Sequence, residues 1–486
     1  MNIGINTFVL KDADTAIIPV FNETNDLKVE SIQKLYKHFK ENKKFKGRAG
    51  GILTTINISE SISQDIIFVE LGSREELTSE SIRFSLSSAI KKAIEIKGSK
   101  VYVGSIIDEK LMLEDIIKSV VEGIGLGAYK FDKYKTENKD NINLEVSLEN
   151  DENSSLIKEY ISEALLLVQT TNLARDLVNE PSNVIYPETL SQAAAQAGKK
   201  YGFQVEVFDE AEINGFGMKS FLSVAKGSEN PPKLIVMRYF GDEANKEDIL
   251  GYVGKGLTYD SGGYSLKPTT SMDTMKSDMG GAAAVIGSIS AIAERNLKVN
   301  VIGVIATCEN LISGRAYKPG DIIGSMSGKS IEVLNTDAEG RLTLADAVHY
   351  IIEKEKASKV VDIATLTGAA LVALGITTTA VITNNDEFYK KLETASLITG
   401  EKIWKLPSFD DYKKLIKSDI ADLKNTAGRN AGTITAGLFI GEFVQNKPWL
   451  HLDIAGTSWA EKDNSYYSKG GTGVGVRTLY YLAKNN

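Results

Sequence analysis

A chain of 486 residues, 42% hydrophobic and 25% charged, has the make-up of a globular protein too long for one ordinary core and expected to form two domains. Its formal net charge of −8 argues against a protein whose main task is to grip nucleic acid or an anionic membrane, since both need a cationic field. Cys308 is the sole cysteine, which excludes an intrachain disulfide and a cysteine-based zinc site and fits a reducing compartment.

Lys11, Asp12 and Asp14 interrupt the stretch in which a secretory leader would have to be apolar, so a cytoplasmic protein is expected. Residues 1–135 alternate short β-type runs with amphipathic stretches: IIFVEL at 66–71 reads as a strand, 80–97 as a helix, and KVYVGSI from Lys100 as another strand. Between Lys133 and Ser155 the chain turns polar, as an exposed connection would. These patterns predict a smaller N-terminal α/β domain over 1–150 and a larger domain over 151–486 that opens with a linking helix at about 156–177. Beyond it KLIVMRYF, ILGYVGKG, a long helix from about Asp278, KVNVIGVIATCEN, SIEVLNT, a helix after Arg341 and KVVDIATLT follow in turn. Repetition of strand, loop and helix makes the fold class α/β, with a mostly parallel or mixed sheet flanked by helices. The apolar stretch from Gly368 to Ile382 is too short, and too broken by Gly375 and threonines, to span a bilayer, so no membrane anchor is expected.

In such folds ligands collect at the carboxyl ends of strands, and notable polar residues follow ILGYVGKG, SIEVLNT and VVDIATLT. The chain has three histidines, so a metal would have to lean on oxygen ligands. Two glycine-rich segments hold the acids: GKGLTYDSGGYSLKPTTSMDTMKSDMGGAAA from Gly254 and NTDAEGRL from Asn335. Asp278 taken alone is explained as a helix cap, which satisfies free N–H groups and the helix dipole. Asp260, Asp278, Asp337 and Glu339 taken with Lys255, Lys267 and Arg341 are not so explained, because burying such charges without compensation costs several kcal/mol each. Two divalent ions would cancel the four carboxylates. If Lys255 is a neutral ligand, Lys267 and Arg341 would then balance an activated hydroxide and a small anion.

At these residues the sequence resembles the leucyl aminopeptidase family of cytosolic metallopeptidases, whose hallmark NTDAEGRL stands intact from Asn335 to Leu342. GKGLTYDSGGYSLKP, MKSDMGGAA, DIATLTGA at 362–369, HLDIAGTSW and GGTGVGVRTL reinforce the likeness. It begins near Asn172 and runs to the C-terminus, while residues 1–150 match only loosely. Carried over position by position, the resemblance implies that Lys255, Asp260, Asp278 and Glu339 bind a tighter metal. Asp260, Asp337 and Glu339 would bind a more exchangeable one, with help from the Asp337 backbone carbonyl. The metals implied are Zn²⁺ or Mn²⁺. Lys267 would stabilise the oxygen of the tetrahedral intermediate, and Arg341 would clamp a bicarbonate serving as general base. Leu366 and its turn would contact substrate and bicarbonate through the backbone, and Met275 would help wall the pocket for the first side chain. The implied reaction is removal of leucine and other mainly apolar residues from peptides with a free N-terminus, by a hydroxide bridging the two metals. The family also implies a homo-hexamer, a dimer of trimers, in which the N-terminal domain governs assembly and access.

Two rival readings stand beside this one, the first implied by the resemblance and the second by the acids. Some bacterial relatives also act on DNA as accessories or repressors, which the acidic balance here disfavours, and another two-metal hydrolase such as a phosphoesterase would need similar acids. The glycines of EGIGLGAYKF at 122–131 lack the acidic residue and βαβ setting of a nucleotide site. Those of GGTGVGVRTL read as close backbone packing. His451, in an apolar strand pattern, reads as a hydrogen-bonded core residue, and Cys308 as an inert packing residue.

Overall fold

The computed structural model describes residues 1–24, 27–59, 62–136, 143–150 and 154–486. The chain divides into one unit of Met1–Gln169 with Lys462–Lys469 and another of Thr170–Glu461 with Gly470–Asn486. Among the described residues no helix is long and apolar enough to cross a membrane.

In the first unit, β1 (Asn2–Ile5), β2 (Thr15–Val20), β3 (Ile52–Ser59), β4 (Ile62–Glu70), β5 (Lys100–Val103) and β6 (Glu145–Leu148) form one sheet in the order β1-β6-β5-β2-β4-β3. All neighbours are parallel except β3 and β4. Part of the connection expected over 133–155 is therefore sheet. Leu144, Val146 and Leu148 alternate with polar neighbours, are at most 4% exposed, and give β6 an interior place that overall polarity concealed. Positions 137–142 and 151–153 of that stretch lie outside the described residues. The glycines at 123–127 belong to the helix Leu113–Gly127. A Cβ on Gly123 would lie 2.9 Å from Arg83 Cα in the helix Ser79–Glu95, so these glycines serve helix packing.

The second unit contains β7 (Gln204–Phe208), β8 (Lys233–Phe240), β9 (Ile249–Asp260), β10 (Asn300–Asn310), β11 (Ile322–Gly324), β12 (Ser330–Glu332), β13 (Lys359–Ala364), β14 (Thr379–Thr383), β15 (Ile403–Lys405), β16 (Leu423–Lys424) and β17 (Trp449–Asp453). Its main sheet has the order β15-β14-β17-β13-β9-β10-β8-β7. The four central strands β17, β13, β9 and β10 run parallel, with β14 and β8 antiparallel on either side. Apolar and small residues run almost unbroken through β9 and β10 because helices cover both faces of a parallel sheet. SIEVLNT departs from expectation: only Ser330–Glu332 is strand, and it pairs with β11 and β16 in a separate three-stranded sheet. The run is short and alternates, burying Ile331 and Val333, which suits a half-covered strand rather than a central one.

Backbone contact fixes the helix Gly280–Glu294 against this sheet. A Cβ on Gly254 would lie 2.7 Å from Ala282 Cα, and one on Gly281 would lie 2.9 Å from the Lys255 nitrogen. Glycine is required there because no side chain fits between helix and strands. Below the strand ends, Asp362 of β13 accepts hydrogen bonds from Trp449 Nε1 at 2.6 Å and His451 Nδ1 at 2.5 Å, all three side chains being buried. His451 is thus the paired core histidine expected, and Cys308 is likewise buried, its thiol pushed well above the usual range by desolvation.

Two outcomes are expected. Gly281→Ala forces backbone apart and lowers stability by about 2 kcal/mol, read as a reduced urea midpoint; an unchanged midpoint would show room that the packing denies. For His451, burial alone would favour the neutral ring, but Asp362 outweighs it and raises the imidazole above its ordinary 6.5. The folded state therefore holds this proton more tightly than the unfolded chain does. The pair's contribution is full below about 6.5 and is lost as pH rises through the raised folded value. The stability advantage of the wild type over His451→Gln should accordingly shrink between pH 6 and pH 9, roughly a window around the ordinary histidine range, in parallel urea titrations.

Candidate active site

The site is assembled where the central strands stop. Asp260 closes β9, and the chain then turns through Gly262 and Gly263 at φ +85° and +61°, a left-handed path that glycine allows. Asp260 Oδ1 accepts the Gly262 N–H at 2.9 Å, and a Cβ on Gly262 would lie 2.9 Å from Asp337 Oδ1, so this turn presses against the Asn335–Glu339 turn. Asn425 pins that second turn: its Nδ2 donates to the Asn335 carbonyl at 2.6 Å and its Oδ1 accepts the Leu334 N–H at 2.9 Å. The helix Gly340–Glu353 follows, carrying Arg341 in its first turn.

Two ammonium groups sit among the carboxylates. Lys255 Nζ lies 2.7 Å from Asp278 Oδ2 and 2.9 Å from Glu339 Oε1, and donates to the Thr365 carbonyl at 3.0 Å. Lys267 Nζ lies 2.8 Å from Asp260 Oδ2 and 2.5 Å from Asp337 Oδ1. Oxygens of Asp260, Asp337 and Glu339 all fall within 4.8 Å of one another. Lys255, Asp260, Asp278 and Glu339 are buried, none more than 5% exposed.

The acids are short of positive charge. Burial and the neighbouring Glu339 and Asp278 push Asp260 up to about 8, and burial pushes Asp278 up to about 6 against the pull of Lys255. Asp337 is raised by burial and by Glu339. Burial would raise Glu339 too, but Lys255 and Lys267 outweigh it and hold that carboxyl below the usual range. Burial would strip both lysines of their protons, yet the surrounding acids keep them firmly protonated. Asp278 Oδ2 and Asp337 Oδ1 face an ammonium without a well-directed hydrogen bond. Buried, mutually repelling oxygens of this kind fit a hard or borderline divalent cation, which would relieve the deficit.

Arg341 is 7% exposed; burial lowers its guanidinium to about 10, Nη1 donates to the Asn425 carbonyl at 2.8 Å, and Nε has no hydrogen-bond partner. That nitrogen fits a small anion. Lys267, Asp337, Arg341 and Leu366 line one cavity of about 800 Å³. Met275, in the turn Met275–Ser277, is not among the residues lining it. The Leu366 N–H is taken up by Asp453 Oδ1 at 3.1 Å. Asp278 does not cap the helix: the cap position is Met279, and Asp278 Oδ1 instead accepts from Lys255 at 2.8 Å and Thr365 Oγ1 at 2.6 Å.

Three positions were not singled out from sequence. Asn310, fully buried at the end of β10, donates through Nδ2 to Asp260 Oδ1 at 2.8 Å and to the Thr336 carbonyl at 3.0 Å, tying the two acidic turns together. Asp453, fully buried at the end of β17, accepts from Thr367 Oγ1 at 2.6 Å and Thr433 Oγ1 at 3.0 Å besides Leu366. Asn425 is the third. For the first two a signal existed: each is a polar residue closing an apolar strand, at the end where ligands gather.

Comparison with known proteins bears on this arrangement. Residues 172–480 match the model of the cytosol aminopeptidase family catalytic domain, and residues 18–138 that of its N-terminal domain. A probable cytosol aminopeptidase of Clostridium perfringens (strain 13 / Type A) is 58% identical over 97% of each chain, and one of Clostridium tetani (strain Massachusetts / E88) is 46% identical over 98% of each. Among solved structures, the bottromycin maturation enzyme BotP superposes with a TM-score of 0.87 at 29% identity, covering 97% of this chain and 99% of its own, as does BotP in complex with Mn.

Proposed function

The chain belongs to the cytosol aminopeptidase family, and from that premise we propose that this metal-dependent aminopeptidase removes leucine and other mainly apolar residues from peptides with a free N-terminus, using two divalent ions. The observation that supports the metal reading is that oxygens of Asp260, Asp337 and Glu339 lie within 4.8 Å of one another, and Asp278 and Lys255 beside Glu339 provide ligands for a second ion. In this reading Lys255, Asp260, Asp278 and Glu339 hold the tighter ion. Asp260, Glu339 and Asp337, the last through side chain and backbone carbonyl, hold the exchangeable one. Oxygen-rich ligation with one amine suits Mn²⁺ or Zn²⁺, and the BotP complex with Mn supports the former. Arg341, with its unsatisfied Nε, is the residue suited to hold bicarbonate.

Bound there, the ions would supply Lewis acidity and a water acidified for attack near neutral pH, and bicarbonate would supply a general base. The chain's own residues do the rest. A peptide's neutral terminal amine would be a ligand for an ion held by these acids, whereas an internal amide nitrogen, its lone pair delocalised, would not, so the first residue would be selected. Lys255 has to give up its proton to become a ligand. Lys267, paired here with Asp260 and Asp337, would be left free to face the developing oxyanion if those acids were held by metal. Leu366, its N–H already engaged, has its carbonyl left for substrate. By the same resemblance the enzyme is a cytoplasmic homo-hexamer whose N-terminal domain governs assembly and access.

The direct test is hydrolysis of leucine p-nitroanilide beside an aryl phosphate, with Mn²⁺ or Zn²⁺ added or chelated and metal content measured on the same sample. Metal-dependent leucine release without phosphate release is expected; metal-loaded protein that cleaves only the phosphate would sink the reading. Glu339→Ala should weaken both ions and lower turnover by about a thousandfold or more. Normal turnover with two ions bound would remove its bridging role. Lys267→Ala should retain metal while kcat falls about a hundred- to a thousandfold, and loss of metal with collapse of the fold would make that lysine structural instead.

A further inference from the structure

The charge of the cavity is uneven. Its acids lie at the floor, where Asp337 meets Asp260 and Glu339, while three cationic side chains line it: Lys267, Arg341 and Arg429. Lys267 is ion-paired to two of the acids, and Arg341 is buried against the Asn425 carbonyl. Arg429 differs from both. It stands exposed on the loop between β16 and the helix Gly432–Gly441, and among the described residues no carboxylate or other acceptor engages it. An exposed arginine is usually no more than a solvated charge. This one shares a cavity with the candidate reacting groups, on a loop whose far end is anchored by the 3.0 Å bond from Thr433 to Asp453, the carboxylate that also fixes Leu366.

We propose that Arg429 binds the C-terminal carboxylate of short peptides, so that di- and tripeptides with a free carboxyl terminus are the preferred substrate class; this rests on reading the site as that of an aminopeptidase. A short peptide has an amine, for which an ion held by the acids would be the partner, and a carboxylate, for which the cavity offers the unpaired Arg429. A volume of about 800 Å³ admits only a few residues. Each added residue carries the carboxylate roughly 3.4 Å further along an extended chain, so longer peptides take it past the rim. The planar guanidinium can meet a carboxylate through two parallel hydrogen bonds.

The experiment compares kcat/KM for Leu-Gly and Leu-Gly-Gly with their C-terminal amides, in the Mn²⁺-loaded wild type, Arg429→Gln and Arg429→Lys. For the wild type the acids should be favoured over the amides by about fivefold, the worth of a partly solvated ion pair, with the difference in KM rather than kcat. In Arg429→Gln the preference should vanish, and in Arg429→Lys part of it should return. Equal use of acids and amides by the wild type, or a preference that survives in Arg429→Gln, overturns the proposal while leaving the aminopeptidase reading intact. A metal-loaded wild type that releases no leucine from any of the four peptides or from the anilide overturns that reading, and this proposal with it.

Discussion

Three buried carboxylates crowded against a fourth, Asp337, that lines the cavity are the constraint to which the second unit is built. Asp260, Asp278 and Glu339 are at most 5% exposed, and their nearest compensation is two lysines, each shared between acids. Ions brought so far out of water are costly unless opposite charge stands beside them. Even with two ammoniums present, burial first and then Glu339 and Asp278 hold Asp260 well above the usual carboxylate range. Added divalent charge would relieve the repulsion, which is what suits the cluster to a metal.

The rest of the fold keeps those acids from moving apart. Parallel strands β9, β10, β13 and β17 end side by side, so Asp260, Asn310, the Thr365–Leu366 turn and Asp453 arrive at one edge of one sheet. Glycines let the helix Gly280–Glu294 touch the strands backbone to backbone, which holds Asp278 against Lys255. Asn310 joins Asp260 to the Thr336 carbonyl, Asn425 secures the Asn335 turn, and Asp453 ties the Leu366 turn to the helix at Gly432. Partners behind a ligand set its orientation as surely as the metal does. Below them the buried Asp362 pair and apolar strands exclude water from the floor.

Much of this was legible in the residues. Long apolar strands separated by helical stretches announced the mixed sheet, and acids beside glycine turns announced a cluster, because neither makes sense as ordinary core or ordinary surface. The intact NTDAEGRL motif carried the family. What escaped notice did so for physical reasons. β6 hides in a polar stretch because four residues suffice when the sheet supplies the neighbours. SIEVLNT looked like a main-sheet strand because local β-propensity does not say which sheet a strand joins. Asp278, counted with the other acids, looked like a helix cap only when taken alone, because the fold is what reveals that its Oδ1 accepts from Lys255 and Thr365. Asn310 and Asp453 went unremarked since a single polar residue at a strand end gains meaning only from the strand beside it.

The most direct test of the central claim is the position of bound metal. Anomalous diffraction from crystals of the Mn²⁺-loaded protein should show two peaks about 3.5 Å apart, with the Glu339 carboxylate between them, Lys255 Nζ bound to one, and Lys267 withdrawn from Asp260 and Asp337. No peak among these acids, with both lysines still paired to them in active protein, would contradict the account.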